Sequence, residues 1–351
     1  MPKEVMGYLD YPIPEQSKSY LPSQDILNFL ESYADDFKVK EHTKFYHIVL
    51  LVEPKGKLWT VKVKDLKNNR VEEYEFDSVM VCNGHYSTPF IPKIQGQDSF
   101  QGKQIHSHDY RIPETFENQR VAVIGAGPSG MDIALEVSKL AKTVILSHHM
   151  TVEIKTQFPE NVSQKPEVVS MTGKEVVFRD GSSEEVDYIF YCTGYKYSFP
   201  FLSEACGVTT EDNHVRPLYK HLIHTRFPTL CFVGLPFYVC AFSLCDLQSR
   251  FFLRILDGSL KLPSTEEMDA DADEEIERRR KCGLGRRQAH MMGPLQGDYY
   301  DDLAKTAGIQ GIPPVMTKLH NESSQRFLDD LVNYRNDVYR ILDSENFVQV
   351  K

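Results

Sequence analysis

The sequence predicts an α/β fold built on parallel sheet, and three observations predict it. Val121 to Gly125 runs apolar as a buried parallel strand does, and Met131, Ile133, Ala134, Leu135 and Val137 then follow with the apolar positions of a packed helix. The turn between them carries glycines at its first, third and sixth positions, Gly125, Gly127 and Gly130. Two further apolar runs end in Asn83-Gly84 and in Thr193-Gly194. Strands of open parallel sheets end this way where a ligand lies against their carboxyl ends.

Strand, glycine turn and helix in this order form a Rossmann-like seat for a dinucleotide diphosphate. Gly125 permits the tight turn, Gly127 lets the anion approach the backbone, and Gly130 lets helix and strand pack closely. The helix opening at Pro128 and Ser129 offers free N–H groups and a positive dipole end to the phosphates. The turn comes late in the chain, so the residues before it belong to another part of the fold.

Those residues can be read in order. Ile26, Leu27, Phe29, Leu30 and Tyr33 make Ser23 to Phe37 an amphipathic helix, with Ser23 as its N-cap. Phe45 to Val52, Leu58 to Asp65 and Arg70 to Phe76 read as an antiparallel meander turning at Asn68 and Asn69. Asp77 to Cys82 is a short buried strand, and Pro89, Pro92 and Pro113 mark an extended connector. Beyond the glycine turn, Thr143 to Ser147 is the second strand of the βαβ unit. Val176 to Arg179 and Val186 to Cys192 form a hairpin leading into a buried strand, and Leu230 to Gly234 is another. Glu266 to Lys281 is a charged, solvated helix or loop, and Ser323 to Leu342 reads as a surface helix.

Composition narrows the function. Of 351 residues, 41% are hydrophobic and 26% charged, which is ordinary for a globular chain. A net charge of −10 argues against a nucleic-acid partner. No apolar run is long enough to span a bilayer, and the N-terminus has no signal-peptide pattern, so the expected location is cytoplasmic or peripheral on the endoplasmic reticulum. The seven cysteines form no CxxC pair and indicate a reducing compartment; Cys240 and Cys245 fall in an apolar loop. His42 with His47, and His221 with His224, have ligand-like spacing but no accompanying partners, so no metal site is expected.

The nicotinamide cofactor follows from the end of the second strand. An NAD site places an acidic residue there for the ribose 2′-hydroxyl. Here the position holds Ser147, His148 and His149, with no carboxylate to repel a 2′-phosphate. NADPH is therefore expected over NADH.

Several segments together resemble the flavin-containing monooxygenases. Phe100, Gly102, His106 and Tyr110 match that family's FxGxxxHxxx(Y/F) pattern just before the glycine turn. Cys192 to Tyr195 resembles its ATGY-like motif with Cys in place of Ala, and PKEVMGYLDYP, CNGHYSTPFIP and GDYYDDLAKTAG also look like family segments. The likeness is greatest to short, glucosinolate S-oxygenase-like forms from plants and invertebrates.

The resemblance implies two nested Rossmann-like domains. The FAD-binding domain would occupy 1–114, the NADPH-binding domain 115–235, and the chain would return to the FAD domain and C-terminal helices over 236–351. It implies FAD and NADPH as cofactors, molecular oxygen as co-substrate, and a C4a-hydroperoxyflavin. That species would oxygenate a small soft nitrogen or sulfur nucleophile, such as an N,N-dialkylaniline or a thioether. Gly125, Gly127, Pro128, Ser129 and Gly130 would hold the NADPH diphosphate, with Ser147 and His148 near the 2′-phosphate. Thr193 and Gly194 would border the cofactor. Asn83 would lie by flavin and nicotinamide as the catalytic candidate, and Gln248 near the flavin. His106 and Tyr110 would brace the connector. The family has two glycine turns, and this sequence carries the second of them. The expectation is a truncated form with an incomplete FAD domain that holds flavin poorly by itself. The alternative is a catalytically silent NADP-binding protein. A disulfide reductase is disfavoured because no redox CxxxxC precedes the turn.

Overall fold

A computed structural model describes residues 1–150 and 154–350, which form two compact units. Unit 1 comprises Met1–Gly84, Tyr197–Ser324 and Asn336–Lys351; unit 2 comprises His85–Lys196 and Gln325–Arg335. The glycine-turn unit thus runs over His85–Lys196 with Gln325–Arg335 added, where the sequence reading has 115–235.

Helix α1 (Ser23–Asp36) precedes strands β1 (His47–Lys55), β2 (Leu58–Asp65), β3 (Arg70–Phe76) and β4 (Val79–Val81). Short β5 (Thr88–Pro89) and β6 (Lys103–His106) lead to β7 (Arg120–Ile124), α2 (Pro128–Val137), β8 (Thr143–Ser147) and β9 (Val162–Lys165). Next come β10 (Val168–Thr172), β11 (Glu175–Phe178), β12 (Ser183–Glu185), β13 (Tyr188–Tyr191) and β14 (Tyr195–Lys196). The remainder runs through β15 (Leu218–Tyr219), β16 (Ile223–His224), β17 (Leu230–Phe232), α3 (Ala241–Leu256) and α4 (Thr265–Lys281). It ends with α5 (Gln296–Ala307), α6 (Pro314–Asp329), β18 (Val338–Ile341) and β19 (Phe347–Val350).

Unit 2 is built on a five-stranded sheet in the order β6-β13-β7-β8-β9, every pairing parallel. Met131, Ala134 and Val137 of α2 are fully buried, as their helical spacing requires. Beside it stand the antiparallel sheet β10-β11-β12 and a two-stranded ribbon of β5 with β14. Where β7 begins, Arg120 grips Asp187 through Nε and Nη2, at 3.0 and 2.9 Å. The Arg120 guanidinium holds the Asp187 carboxyl well below its ordinary range. This clamp sits at the end of the sheet opposite the glycine turn.

Unit 1 holds the meander β1-β2-β3 and a sheet ordered β15-β16-β17-β4, in which β17 and β4 run parallel. Trp59, Val61 and Val63 alternate along β2 into a core with Val81, Leu230 and Phe232. The Trp59 indole donates to Thr229 Oγ1 at 2.9 Å. A second core gathers Leu244, Leu247, Phe251 and Phe252 of α3 with Tyr300 and Leu303 of α5 and Leu319 of α6. No helix among the described residues is long and apolar enough to cross a membrane.

Three sequence readings need correction. Ser23 is the first residue of α1 and Pro22 caps it without a side-chain bond, because proline's fixed φ suits a helix entrance. Cys240 and Cys245 are not in a loop: Cys240 caps α3 and Cys245 lies within it. The expected helix over Ser323 to Leu342 is instead the end of α6, a turn, and β18. The true helix starts at Pro314, a residue favoured in a first turn, and Val338 to Ile341 pairs with β19. The charged segment, by contrast, is a helix, started by a capping box between Ser264 and Glu267.

Unit 1 carries several imidazoles that burial keeps neutral. Burial lowers His214 and His224 to about 4 and lowers His320 as well. The unfolded chain protonates these groups near 6.5, so their contribution is full above that pH and is lost as the pH falls toward 4. Fully buried His224 should cost about 1.4 kcal/mol per pH unit below 6.5, and partly exposed His214 less because solvent screens it. Urea unfolding followed by Trp59 fluorescence should show a midpoint that drops between pH 6.5 and 4.5; a flat midpoint over that range contradicts this account.

Candidate functional site

The glycine turn is a place where three segments of backbone meet. Gly125 has φ +105°, and its N–H donates to the Ser147 carbonyl at 2.8 Å. A Cβ on Gly125 would lie 2.5 Å from the Cys192 carbonyl oxygen, and one on Gly130 would lie 1.8 Å from the Gly125 carbonyl oxygen. Only hydrogen fits at either point. Helix α2 starts at Pro128 from the extended Gly127, with no side chain capping it. Its first N–H groups are therefore left for an outside acceptor, and Ser129 is exposed beside them.

At the end of β8 the structure redistributes the expected roles. Ser147 is 1% exposed and its hydroxyl donates to the Pro166 carbonyl at 2.8 Å, so it offers nothing at the surface. His148 is half-buried; its Nδ1 accepts from the Met150 N–H at 3.2 Å and its Nε2 lies 3.0 Å from Gln164 Oε1. His149 is the exposed imidazole, with Nδ1 3.1 Å from Glu167 Oε1. A buried serine at a strand end reads the same in sequence as an exposed one, because both follow an apolar run.

At the end of β13, Cys192 donates its N–H to the Ile124 carbonyl at 2.8 Å. The Thr193 hydroxyl donates to the Phe90 carbonyl. The Gly194 carbonyl accepts from the Phe90 N–H at 2.9 Å and faces His106 Nε2 at 3.0 Å. Because His106 Nδ1 accepts from the His108 N–H at 3.0 Å, its proton sits on Nε2 and is donated to Gly194. Burial lowers the pKa of His106 and keeps the ring neutral.

The rest of the FxGxxxHxxxY pattern is also packing. A Cβ on Gly102 would lie 2.4 Å from the Phe100 ring, and Tyr110 packs 5.4 Å from the ring of Phe190.

In unit 1, Asn83 is exposed just past β4 and donates to the Ser198 carbonyl at 3.2 Å. Gly84 beside it has φ +73° and open space where a side chain would be. Gln248 is fully buried and engaged at both ends. Its Oε1 accepts from the Gly234 N–H at 2.8 Å and its Nε2 donates to Tyr299 Oη at 2.8 Å. Tyr299 in turn donates to the Lys220 carbonyl at 2.8 Å. Gln248 thus holds the loop after β17 in place. Tyr299 was missed as its partner, although it lies in the GDYYDDLAKTAG segment. No group of three metal-ligating side chains occurs among the described residues.

The chain matches the family described as FMO-like, Flavin-binding monooxygenase-like, over residues 1–157 and 156–324. It is 34% identical over 355 residues to "Senecionine N-oxygenase" of Tyria jacobaeae, covering 99% of this chain and 77% of that protein. It is 38% identical over 322 residues to "Flavin-containing monooxygenase FMO GS-OX5" of Arabidopsis thaliana, covering 88% and 70%. Among solved structures, S-allyl-L-cysteine S-oxygenase from Allium sativum superposes with a TM-score of 0.89 at 36% identity, over 96% of this chain and 79% of that one.

The close approach makes a sharp prediction. Gly130→Ala should destabilise unit 2 by about 3 kcal/mol or more, since backbone must move, and should abolish dinucleotide binding. Gly173→Ala, at φ +60° with open space around it, should cost only about 1 kcal/mol and leave binding intact. Thermal unfolding with and without NADP+ checks both variants; equal losses would remove the steric explanation.

Proposed function

The chain belongs to the flavin-binding monooxygenase-like family, whose members use FAD and NADPH, and from that premise we propose that it takes NADPH on the glycine turn of unit 2 to oxygenate a small soft nucleophile. The observation that carries the proposal is the Gly125–Gly130 cradle at the carboxyl end of a parallel sheet. When bound, the cofactors supply a hydride and pass its two electrons to dioxygen, one oxygen atom going to substrate and the other to water.

The residues present fit NADPH. The N–H groups at the start of α2, with Gly127 and Ser129, would bind the diphosphate, and no carboxylate ends β8 to repel a 2′-phosphate. His148 and the exposed His149 would face that phosphate, while Ser147 would hold the strand end from inside.

The fit to FAD is partial. Asn83 and the open Gly84 would let a flavin ring approach the backbone after β4, and the GxGxxG that this sequence carries is the turn of unit 2. Gln248 would act by fixing the Gly234 loop.

The substrate class rests on the relatives. One is named for N-oxygenation and another for S-oxygenation, which favours a tertiary amine or a thioether here. The test is to incubate the chain with FAD, NADPH and dioxygen and to measure N-oxide or sulfoxide per NADPH consumed. A ratio approaching one supports the proposal; peroxide without oxygenated product overturns it. His148→Asp should weaken NADPH binding about tenfold while changing NADH binding little, because a carboxylate repels only the 2′-phosphate. An equal loss for both cofactors would place His148 outside that contact.

A further inference from the structure

The order of the sheet in unit 2 says where each half of a dinucleotide must lie. The diphosphate would sit at the turn after β7, and the order in which the chain visits the strands switches sides between β7 and β13, all of them parallel. The chain leaves β7 through α2 to β8, so the adenosine side is the β8 end, with His148 and His149. The other nucleoside must then extend over the carboxyl ends of β13 and β6.

What lies there is a cluster of aromatic rings, the two histidines edge-on to Tyr195 and Tyr86 tilted by 45° against it. Tyr195 follows β13, and its ring centre is 5.2 Å from His106, 6.0 Å from His108 and 5.1 Å from Tyr86. Tyr86 is 64% exposed, which is unusual for so large a ring held against others.

The cluster is rigid. Tyr195 pairs with Pro89 across the β5–β14 ribbon, and Thr193, Gly194 and His106 tie that ribbon to the strand ends. Gly194 has φ +80° and open space where a side chain would stand, so a ligand can reach the backbone beside Tyr195.

We propose that Tyr86 and Tyr195, braced by His106 and His108, form the contact surface for the nicotinamide nucleoside of the bound dinucleotide. Rings fixed before binding give a planar, weakly polar group a surface to stack on without an ordering cost. The inference rests on the NADPH reading above and adds residues to it.

The two can be tested apart by comparing NADP+ with 2′,5′-ADP, which lacks the nicotinamide nucleoside. Calorimetric titration of the full chain should show that Tyr86→Ala weakens NADP+ about three- to tenfold and leaves 2′,5′-ADP unchanged. Tyr86→Phe should restore NADP+ affinity. Tyr195→Ala should act in the same direction, and Tyr86, being exposed, carries the test if that variant misfolds. Unchanged NADP+ affinity in Tyr86→Ala, or equal losses for the two ligands, overturns the contact surface while leaving the NADPH reading standing. A wild-type chain that binds neither ligand overturns the NADPH reading itself, and the contact surface with it.

Discussion

The backbones of β7, α2 and β13 approach so closely at Gly125 and Gly130 that no side chain fits between them. The rest of unit 2 is arranged around that approach. The Gly125 N–H is taken by Ser147 of β8, and the Cys192 N–H after β13 by Ile124 of β7, so three neighbouring strands end in register. The start of α2 is thereby pressed against the sheet with its N–H groups facing outward. An anion there meets backbone donors already in position, which is how a diphosphate can be held without a dedicated cationic side chain. The Arg120–Asp187 clamp fixes β7 at its other end, where it can stabilise the sheet without intruding on the site.

Unit 1 solves a different problem, a polar interior. The turn between β15 and β16 puts Lys220 and His221 at φ 50° and 53°, a left-handed geometry that favours glycine or asparagine. Each costs about 1 kcal/mol in backbone strain, and both side chains are buried. Acidic partners offset this: Lys220 Nζ lies 2.5 Å from Asp302, and His221 Nε2 lies 2.9 Å from Glu275. Burial would raise the Glu275 carboxyl, but His221 and Arg279 prevail and hold it at about 2. The Lys220 carbonyl also receives Tyr299, and through it Gln248 and Gly234. The strained turn and the loop after β17 therefore share one hydrogen-bonded chain, so disturbing either end should loosen the other.

What was legible in the sequence was local. The strand–turn–helix around Gly125 announces itself because apolar periodicity and glycine spacing both act over a few residues. The meander was read nearly to the residue for β2 and β3, where alternation and a polar turn mark the ends. What escaped depends on distant partners. Ser147 reads as a surface donor because nothing near it in sequence says that its hydroxyl meets the Pro166 carbonyl. The family resemblance puts Gln248 near the flavin, while its bond to Tyr299 cannot be read locally because that partner lies far along the chain. Cys240 and Cys245 read as loop residues because α3 starts without a side-chain cap. The end of α6 was misplaced because the sequence from Asp330 to Leu342 keeps helical composition while Val338 to Ile341 pairs with β19.

The cysteine at 192 shows how such a departure can be weighed. The family-like motif carries alanine there, and a thiol beside a dinucleotide could in principle bring reactivity. The geometry gives it none. Cys192 is 8% exposed, and burial pushes its thiol up to about 12, so it stays protonated at any working pH. Its Cβ would stand 3.2 Å from any Cβ placed on Gly130, and its carbonyl is the atom that excludes a side chain from Gly125. The position acts through backbone and Cβ, both of which alanine also has. The sulfur is a small apolar addition to the packing between β13 and α2, and the substitution leaves the backbone of the glycine turn as it was.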